Sequence, residues 1–519
     1  MAKILFINPV IRQEDLPRHV PYGIALLVAV AERSGHQVQV FDANAWRVDD
    51  ETMIQVMLAD DWDAIAAGGI TTAYNSLKKI FAFAKTHAPQ AVTIAGGGFL
   101  TSMPRDIMDL IPQIDVGVIG EGFVTLPELL SAIDAGNRDF SKINGVIFRG
   151  ESAVHYSPPR PLLADLDTLP FPAWEYFPLE EVYFPNSSIV LSEESFGSKR
   201  RLDINTSYGC SLICRFCFHL GTAGDMTYTT REDGEQDVLF DAPGNHTRHI
   251  RYHSPRYIVD MVKYMVDRFQ VDFVSFLDEN LMTMDVFSKR TWLNEICRLW
   301  IEEGLQPPER AEPGSNIEPY GHGNGVYWGG TSHASLCTPE VLKTMYKAGC
   351  SYLDYGWESF SRQILKTIGK GATPENNKRS YYWTMESGIR PIPNQMMGFP
   401  TEDFDSLRDS MKAWEELGII TRPHVATPYP GSEWFLIYRD KIMAQYDNDM
   451  DRFLSELGDA TDITAVISEN FNAVELYGLR ELMVRGDYDR IQAFEDEWRK
   501  LKGDPSEGIA RGRQRMGLK

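Results

Sequence analysis

The chain has 519 residues, 43% hydrophobic and 24% charged, a globular balance in a chain too long for one ordinary domain. A net charge of −22 argues against general affinity for nucleic acid or anionic membranes, and the basic run Arg511, Arg513, Arg515 and Lys519 reads as a solvated end. Six cysteines with no secretory signal argue against a disulfide framework; with no apolar run long enough to span a membrane, they predict a cytoplasmic protein.

The first 140 residues alternate strand-like and helix-like stretches. Ile4–Ile7 reads as a buried strand ending at Asn8-Pro9, Gly23–Glu32 as a helix, and Val38–Phe41 as a second strand. Ala64–Ala67 runs into Gly68-Gly69-Ile70-Thr71-Thr72 and a helix over Ser76–Thr86. Val92–Ala95 ends in Gly96-Gly97-Gly98, Val116–Ile119 ends in Gly120-Glu121-Gly122, and Thr125–Ala135 is a last helix. This rhythm predicts an α/β, doubly wound, Rossmann-like parallel sheet over 1–140. Its glycine-rich turns share the carboxyl edge, where such sheets bind ligands, and suit a large ligand that needs close backbone approach. The dinucleotide fingerprint GxGxxG is absent after the first strand.

Residues 141–200 form a linker with prolines at 158, 159, 161, 170, 172, 178 and 185. From Arg201 the rhythm resumes. Strands are predicted at Asp203–Thr206, at Phe273–Leu277 ending in Asp278-Glu279-Asn280, and at Val326–Gly329 leading to Ser332-His333. Tyr352–Tyr355 ends in Gly356-Trp357-Glu358-Ser359, Arg390–Met397 contains Asn394 and Gln395 and ends in Gly398-Phe399-Pro400, and Arg422–Thr427 follows. Helices fall at 257–269, 339–348, 374–387 and 405–417. The pattern predicts a partial (βα)6 barrel over 201–440 with its site at the carboxyl strand ends, and a helical region over 441–519. Two long insertions, Gly221–Ile250 with His246 and His249 and Pro307–Gly325 with His322, read as substrate lids or as surface insertions.

The run Tyr208-Gly-Cys-Ser-Leu-Ile-Cys-Arg-Phe-Cys-Phe218 spaces Cys210, Cys214 and Cys217 as CxxxCxxC. Three thiolates in one short loop can hold three irons of a 4Fe–4S cluster and leave the fourth open to a ligand from outside the protein. A structural zinc site with His219 as a fourth ligand is the other reading. Cys297, Cys337 and Cys350 sit in apolar contexts and read as core.

This loop, with aromatic Phe216 before the third cysteine, resembles the cluster motif of the radical S-adenosylmethionine (SAM) superfamily. The resemblance implies that the open iron chelates SAM and that one electron cleaves it to a 5′-deoxyadenosyl radical. It implies SAM contacts from Asp278 and Glu279, with Glu279 on the amino group, and from Glu358 and Ser359 in Gly-Trp-Glu-Ser, which is similar to the family's Gly-x-Glu-Ser turn. His333, Asn394 and Gln395 occupy comparable positions, and Met396–Pro400 resembles the adenine-side turn. The amino-terminal rhythm resembles the cobalamin-binding domain of cobalamin-dependent members: Pro21-Tyr22-Gly23 opens the first helix and Gly120-Glu121-Gly122 follows the fifth strand. Cobalamin contacts are then expected from Asn8, Pro9, Tyr22, Gly69, Thr71, Thr72, Gly97, Gly98, Gly120, Glu121 and Gly122. The DxHxxG motif is missing, since no Asp lies two residues before His19, so no lower axial histidine is expected. Thr427–Ser432 resembles the run that closes the barrel, and the likeness covers roughly residues 1–440.

The expected activity is methylation of an unactivated carbon by a cobalamin-dependent radical SAM methyltransferase. A cyclase or oxidase with the same cofactors, or a non-catalytic cobalamin-binding protein, is the alternative. The absence of cysteine from residues 1–200 argues against a methylthiotransferase. The expected partners are a small-molecule, lipid, tetrapyrrole or peptide substrate and a reductant such as flavodoxin or ferredoxin.

Overall fold

The computed structural model describes residues 1–151, 153–218, 226–230, 236–240, 249–312, 320–321 and 325–518. Both predicted insertions are thus described only in part, and His219, His246 and His322 lie outside the described residues. The chain divides into two compact units: Met1–Ile189 with Gly197–Gly209 and His219–Ser275, and Val190–Phe196 with Cys210–Phe218 and Phe276–Lys519.

The first unit is built on β1 (Lys3–Asn8), β2 (Gln37–Asp42), β3 (Ala64–Gly68), β4 (Val92–Gly96), β5 (Val116–Val118), β6 (Val146–Arg149) and β7 (Val154–Tyr156). Their order is β2-β1-β3-β4-β5-β6-β7. The first five run parallel, and β6 and β7 add antiparallel. β1 is apolar and buried nearly throughout because helices cover both faces of a parallel sheet. Ile4, Phe6, Val92, Ile94 and Val116 pack with Val28, Leu126, Leu129 and Leu130 of helices Tyr22–Arg33 and Gly122–Asp134. Chain order reverses between β1 and β3, which puts the topological switch point beside Asn8-Pro9 and Gly68-Gly69.

β6 and β7 correct the sequence reading, which placed residues 146–156 in a linker. They are four and three residues long, too short for alternation to declare itself against the prolines that follow.

β8 (Arg201–Ile204) and β9 (Ser207–Tyr208) follow, then the hairpin β10 (Met226–Thr230) and β11 (Gln236–Phe240), and β12 (Arg251–Tyr252), which pairs with β9. β13 (Phe273–Phe276), β14 (Tyr327–Ser332), β15 (Cys350–Glu358), β16 (Arg390–Met397) and β17 (His424–Val425) complete a curled sheet in the order β17-β16-β15-β14-β13-β8. β14 to β17 are parallel, as a half-barrel requires. The helices between them start where sequence dictates: Thr373 and Asp403 make capping boxes with Asn376 and Ser406, and Gly418 in the left-handed region ends the helix Phe404–Leu417. Helices dominate from Glu433 onward. Among the described residues, no helix is long and apolar enough to cross a membrane.

The β3–β4 contact at the switch edge leaves no room for side chains. A Cβ on Gly68 would lie 2.5 Å from the Gly96 carbonyl oxygen, whereas one on Gly23, in the first turn of a helix, would meet nothing within 4 Å. Gly68→Ala is expected to cost about 1–3 kcal/mol in chemical unfolding. Gly23→Ala should be neutral or stabilising by up to about 1 kcal/mol, because it removes only unfolded-state freedom.

Candidate functional site

The cysteine loop of the second unit sits on a turn that sequence reading passed over. Cys210 and Cys214 are buried, Cys217 is half-buried, and all three are free thiols. The Cys217 N–H donates to the Cys214 carbonyl (3.1 Å), folding two of the cysteines into one tight turn. Behind it, the Arg215 N–H donates to the Ile368 carbonyl (3.0 Å). A Cβ on Gly369 would lie 2.7 Å from the Ile213 carbonyl oxygen, and one on Gly371 would lie 3.2 Å from Leu212. Both glycines have positive φ, so only glycine meets the steric and the conformational demand together. On the other side Trp434 packs on Phe216, with ring centroids 5.6 Å apart, and Glu433 pairs with Arg215. Cys210 is held by a hydroxyl network: its Sγ lies 3.8 Å from Thr283 Oγ1, which also meets Ser211 Oγ at 3.2 Å and accepts from the Asn280 amide at 2.9 Å.

The hydrogen bond between the Cys214 and Cys217 thiols, then burial, push Cys217 well above the ordinary thiol range, and burial also pushes Cys210 up. Protonated thiols this close to one another favour a soft metal centre that displaces their protons. Among the described residues, no three His, Cys, Asp or Glu side chains gather round a single metal ion. A four-iron cluster asks for something else, one thiolate per iron, and the donor set of this loop suits it.

Between the two glycines lies Lys370, which the sequence reading did not single out. Only 8% exposed, its ammonium donates to Glu358 Oε1 at 2.8 Å and stands 5.8 Å from the centre of the Phe216 ring. Despite burial, the Glu358 carboxylate and the Cys214 and Cys217 thiols raise the lysine above its ordinary value. Glu358 reaches it from a left-handed backbone (φ 59°) at a bulge in β15. A Cβ on Gly356 would lie 2.4 Å from the Glu358 oxygen and 2.8 Å from the Lys370 nitrogen, so that glycine makes room for the pair. His333 donates from Nε2 to the Lys370 carbonyl (2.9 Å), and burial lowers its pKa to about 3, keeping it neutral.

The remaining expected contacts divide. Gln395, 1% exposed beside Glu358 in the β15–β16 register, leaves both amide atoms without a partner among the described residues. Asp278 is buried and Glu279 exposed at the end of β13, and the Glu279 charge reaches Cys210. Asn394 donates to Asp354, whose carboxyl burial pushes up to about 7. Ser359 is taken up by the Ser361 N–H (3.0 Å) and Ser410.

At the edge of the first sheet, Thr72 Oγ1 is buried without a partner among the described residues, next to half-exposed Ile70 and buried Thr71. A bound polar group would satisfy that hydroxyl. Gly97 (φ 81°) is exposed there, with its Cβ position 2.8 Å from the Gly69 carbonyl oxygen. Gly98 starts the next helix, and a Cβ on Gly120 would meet open space. Other residues near this edge have partners within the protein. Asn8 donates to Asp42 (2.7 Å), Pro9 packs by Gly69, and the Tyr22 hydroxyl donates to the Asn205 carbonyl (3.1 Å). Glu121 accepts from Arg251 and the Leu163 N–H, a Cβ on Gly122 would meet Leu27 at 3.0 Å, and His19 is bound to Asp203 (2.7 Å).

The B12 binding domain family matches residues 10–130 and the radical SAM superfamily matches residues 204–413. An uncharacterized methyltransferase of Pyrococcus horikoshii is 24% identical over 413 residues, 79% of this chain and 77% of that one. The anaerobic magnesium-protoporphyrin IX monomethyl ester cyclase of Rubrivivax gelatinosus is 23% identical over 455 residues, 85% of this chain and 70% of that one. The solved radical SAM methyltransferase TsrM of Kitasatospora setae, with cobalamin and a 4Fe–4S cluster bound, superposes with a TM-score of 0.62 at 17% identity, over 85% of this chain and 75% of that one.

The turn after β16 carries a pH signature. Glu402, 2% exposed, accepts from the Gly398 and Phe399 N–H groups, yet burial pushes its carboxyl up to about 8 from an ordinary 4.5. A raised folded-state value means the folded protein binds the proton more tightly, so this contribution is full below pH 4.5 and is lost as pH rises towards 8. Unfolding curves at pH 5 and pH 8 should show Glu402→Gln losing less stability across that interval than the unmodified protein, by up to about 4 kcal/mol.

Proposed function

Because the chain belongs to the radical SAM superfamily and carries a B12 binding domain, we propose that it methylates an unactivated carbon of a small molecule. The observation that carries this reading is the three-cysteine loop seated on the buried Lys370–Glu358 pair. The methyltransferase names of the Pyrococcus relative and of TsrM favour methyl transfer as the outcome. When bound, the cluster with SAM supplies a carbon radical and cobalamin supplies the methyl group.

The residues of the chain bind and orient. Cys210, Cys214 and Cys217 would hold three irons of the cluster. Lys370 presents a fixed cation beside them, placed for the carboxylate of SAM, and Glu358 provides the opposite charge for its amino or ribose groups. Gln395, buried with an unpartnered amide, offers a donor and an acceptor to an adenine edge or to the substrate. The carboxyl edge of the first sheet, with Thr72, Gly97 and Gly69, receives the corrinoid, and neutral His333 positions Lys370 without adding charge.

A cyclase or oxidase activity is the second reading, favoured by the named cyclase relatives. Anaerobic reconstitution with iron, sulfide and hydroxocobalamin, then SAM, a low-potential reductant and candidate substrates, separates the two by mass spectrometry. Methyl transfer gives 5′-deoxyadenosine and a product heavier by one methylene; a cyclase gives 5′-deoxyadenosine and no methylene gain. Neither iron nor corrinoid retained would refute the proposal.

Two substitutions test the assigned roles. Replacing Cys210, Cys214 or Cys217 by alanine should abolish the open-site cluster, read as lost iron and lost visible absorbance. Lys370→Met should retain iron but weaken SAM binding by about ten- to a hundredfold, the worth of a charged hydrogen bond, read from the SAM-induced change in the cluster's electron paramagnetic resonance spectrum.

A further inference from the structure

We propose that the face formed by Lys441, Arg511 and Arg515 is the docking site for an acidic one-electron carrier protein that reduces the cluster. This rests on the radical SAM reading, which requires an electron at the three-thiolate loop.

The first argument is charge. A chain of net charge −22 repels an acidic carrier at most orientations, so productive docking needs a local positive face. Here three cations surround one buried carboxylate: Glu469 meets Arg515 at 3.1 Å, Lys441 at 3.4 Å and Arg511 at 3.7 Å. Glu469 is 7% exposed while Arg511 and Arg515 are 53% and 46% exposed, so the negative charge lies beneath and two positive charges in excess face outward.

The second argument is position. Lys441 lies on the helix Glu433–Ala444, whose first turn carries Trp434, the ring packed on Phe216 between two of the cluster cysteines. The Trp434 backbone N–H also donates to the Arg215 carbonyl at 3.1 Å. One turn on, fully buried Tyr438 has Arg515 over its ring at 5.9 Å and feels the charges of both Arg515 and Arg215. From Trp434 to Lys441 the helix rises about 10 Å. Trp434 and Tyr438 thus stand one turn apart on a single helix, the first against the cysteine loop and the second against the basic face. The helix Pro505–Arg515 fixes that face, since a Cβ on Gly512 would lie 2.9 Å from the Pro400 carbonyl oxygen.

The step is simple in balance. The carrier ends one electron more oxidised and the cluster one electron more reduced, and no bond forms or breaks in this chain.

The test uses cluster-loaded full-length protein and flavodoxin hydroquinone as the donor, with bleaching of cluster absorbance followed by stopped flow; titanium(III) citrate serves as a small-molecule control. Arg511→Glu/Arg515→Glu should slow reduction by flavodoxin at least about tenfold and flatten its salt dependence, with the citrate-driven rate unchanged. Arg511→Lys/Arg515→Lys should retain the flavodoxin rate and Arg511→Gln/Arg515→Gln should fall between, a series that serves if the double glutamate variant does not fold. Equal flavodoxin rates across the folded variants would overturn the proposal. A wild-type cluster that titanium(III) citrate cannot reduce, or that never forms, would instead remove the radical SAM reading and this inference with it.

Discussion

A buried ammonium organises the second unit. Lys370 is removed from water on every side, a position that is costly unless the charge is compensated. Compensation comes from Glu358 at the end of β15, and His333 after β14 fixes the lysine's carbonyl. The glycines that flank the lysine press directly on the loop carrying Cys210, Cys214 and Cys217. One residue therefore sets the relation between two strand ends and the three-cysteine loop. Removing either partner would strand a charge in a low-dielectric interior, so geometry and electrostatics constrain the same few atoms.

Much of this was legible in advance, for reasons that differ by element. The cysteine spacing needs no tertiary information, because all three thiols belong to one local loop. β1, β3 and β4 were readable since a buried parallel strand is a continuous apolar run bounded by glycine or proline. Lys370 was not readable: a lysine between two glycines in an irregular turn has the local signature of a surface loop, and its partner lies twelve residues away across the strand edge. β6 and β7 were lost for lack of length. The partners of Asn8, Tyr22 and Glu121, which are Asp42, Asn205 and Arg251, come from distant segments that no local pattern announces.

Two carboxylates at neighbouring strand ends show how environment divides roles. Glu358 has the Lys370 ammonium at 2.8 Å as its partner. Glu402 has only backbone N–H donors, and burial drives it towards the protonated form near neutrality. The first is equipped to meet a charged ligand. The second stiffens the turn Gly398–Pro400 without adding net charge beside it, since a protonated acid still accepts from the backbone.

The same economy explains why the carboxyl helical region is more than an appendage. Trp434 backs the cysteine loop, Glu433 neutralises Arg215 within it, and Gly512 and Asn470 abut the Gly398–Glu402 turn, the latter through a 2.8 Å hydrogen bond from its amide to the Glu402 carbonyl. Each contact lands on a segment whose own backbone is irregular and has no ladder of hydrogen bonds to hold it. A half-barrel leaves such segments open on one side, where a closed barrel would brace them with further strands. Helices supplied from later in the chain provide that bracing, and because they are amphipathic they also present an outward face of their own. The basic face around Glu469 is thus carried by the same helices that brace the three-cysteine loop.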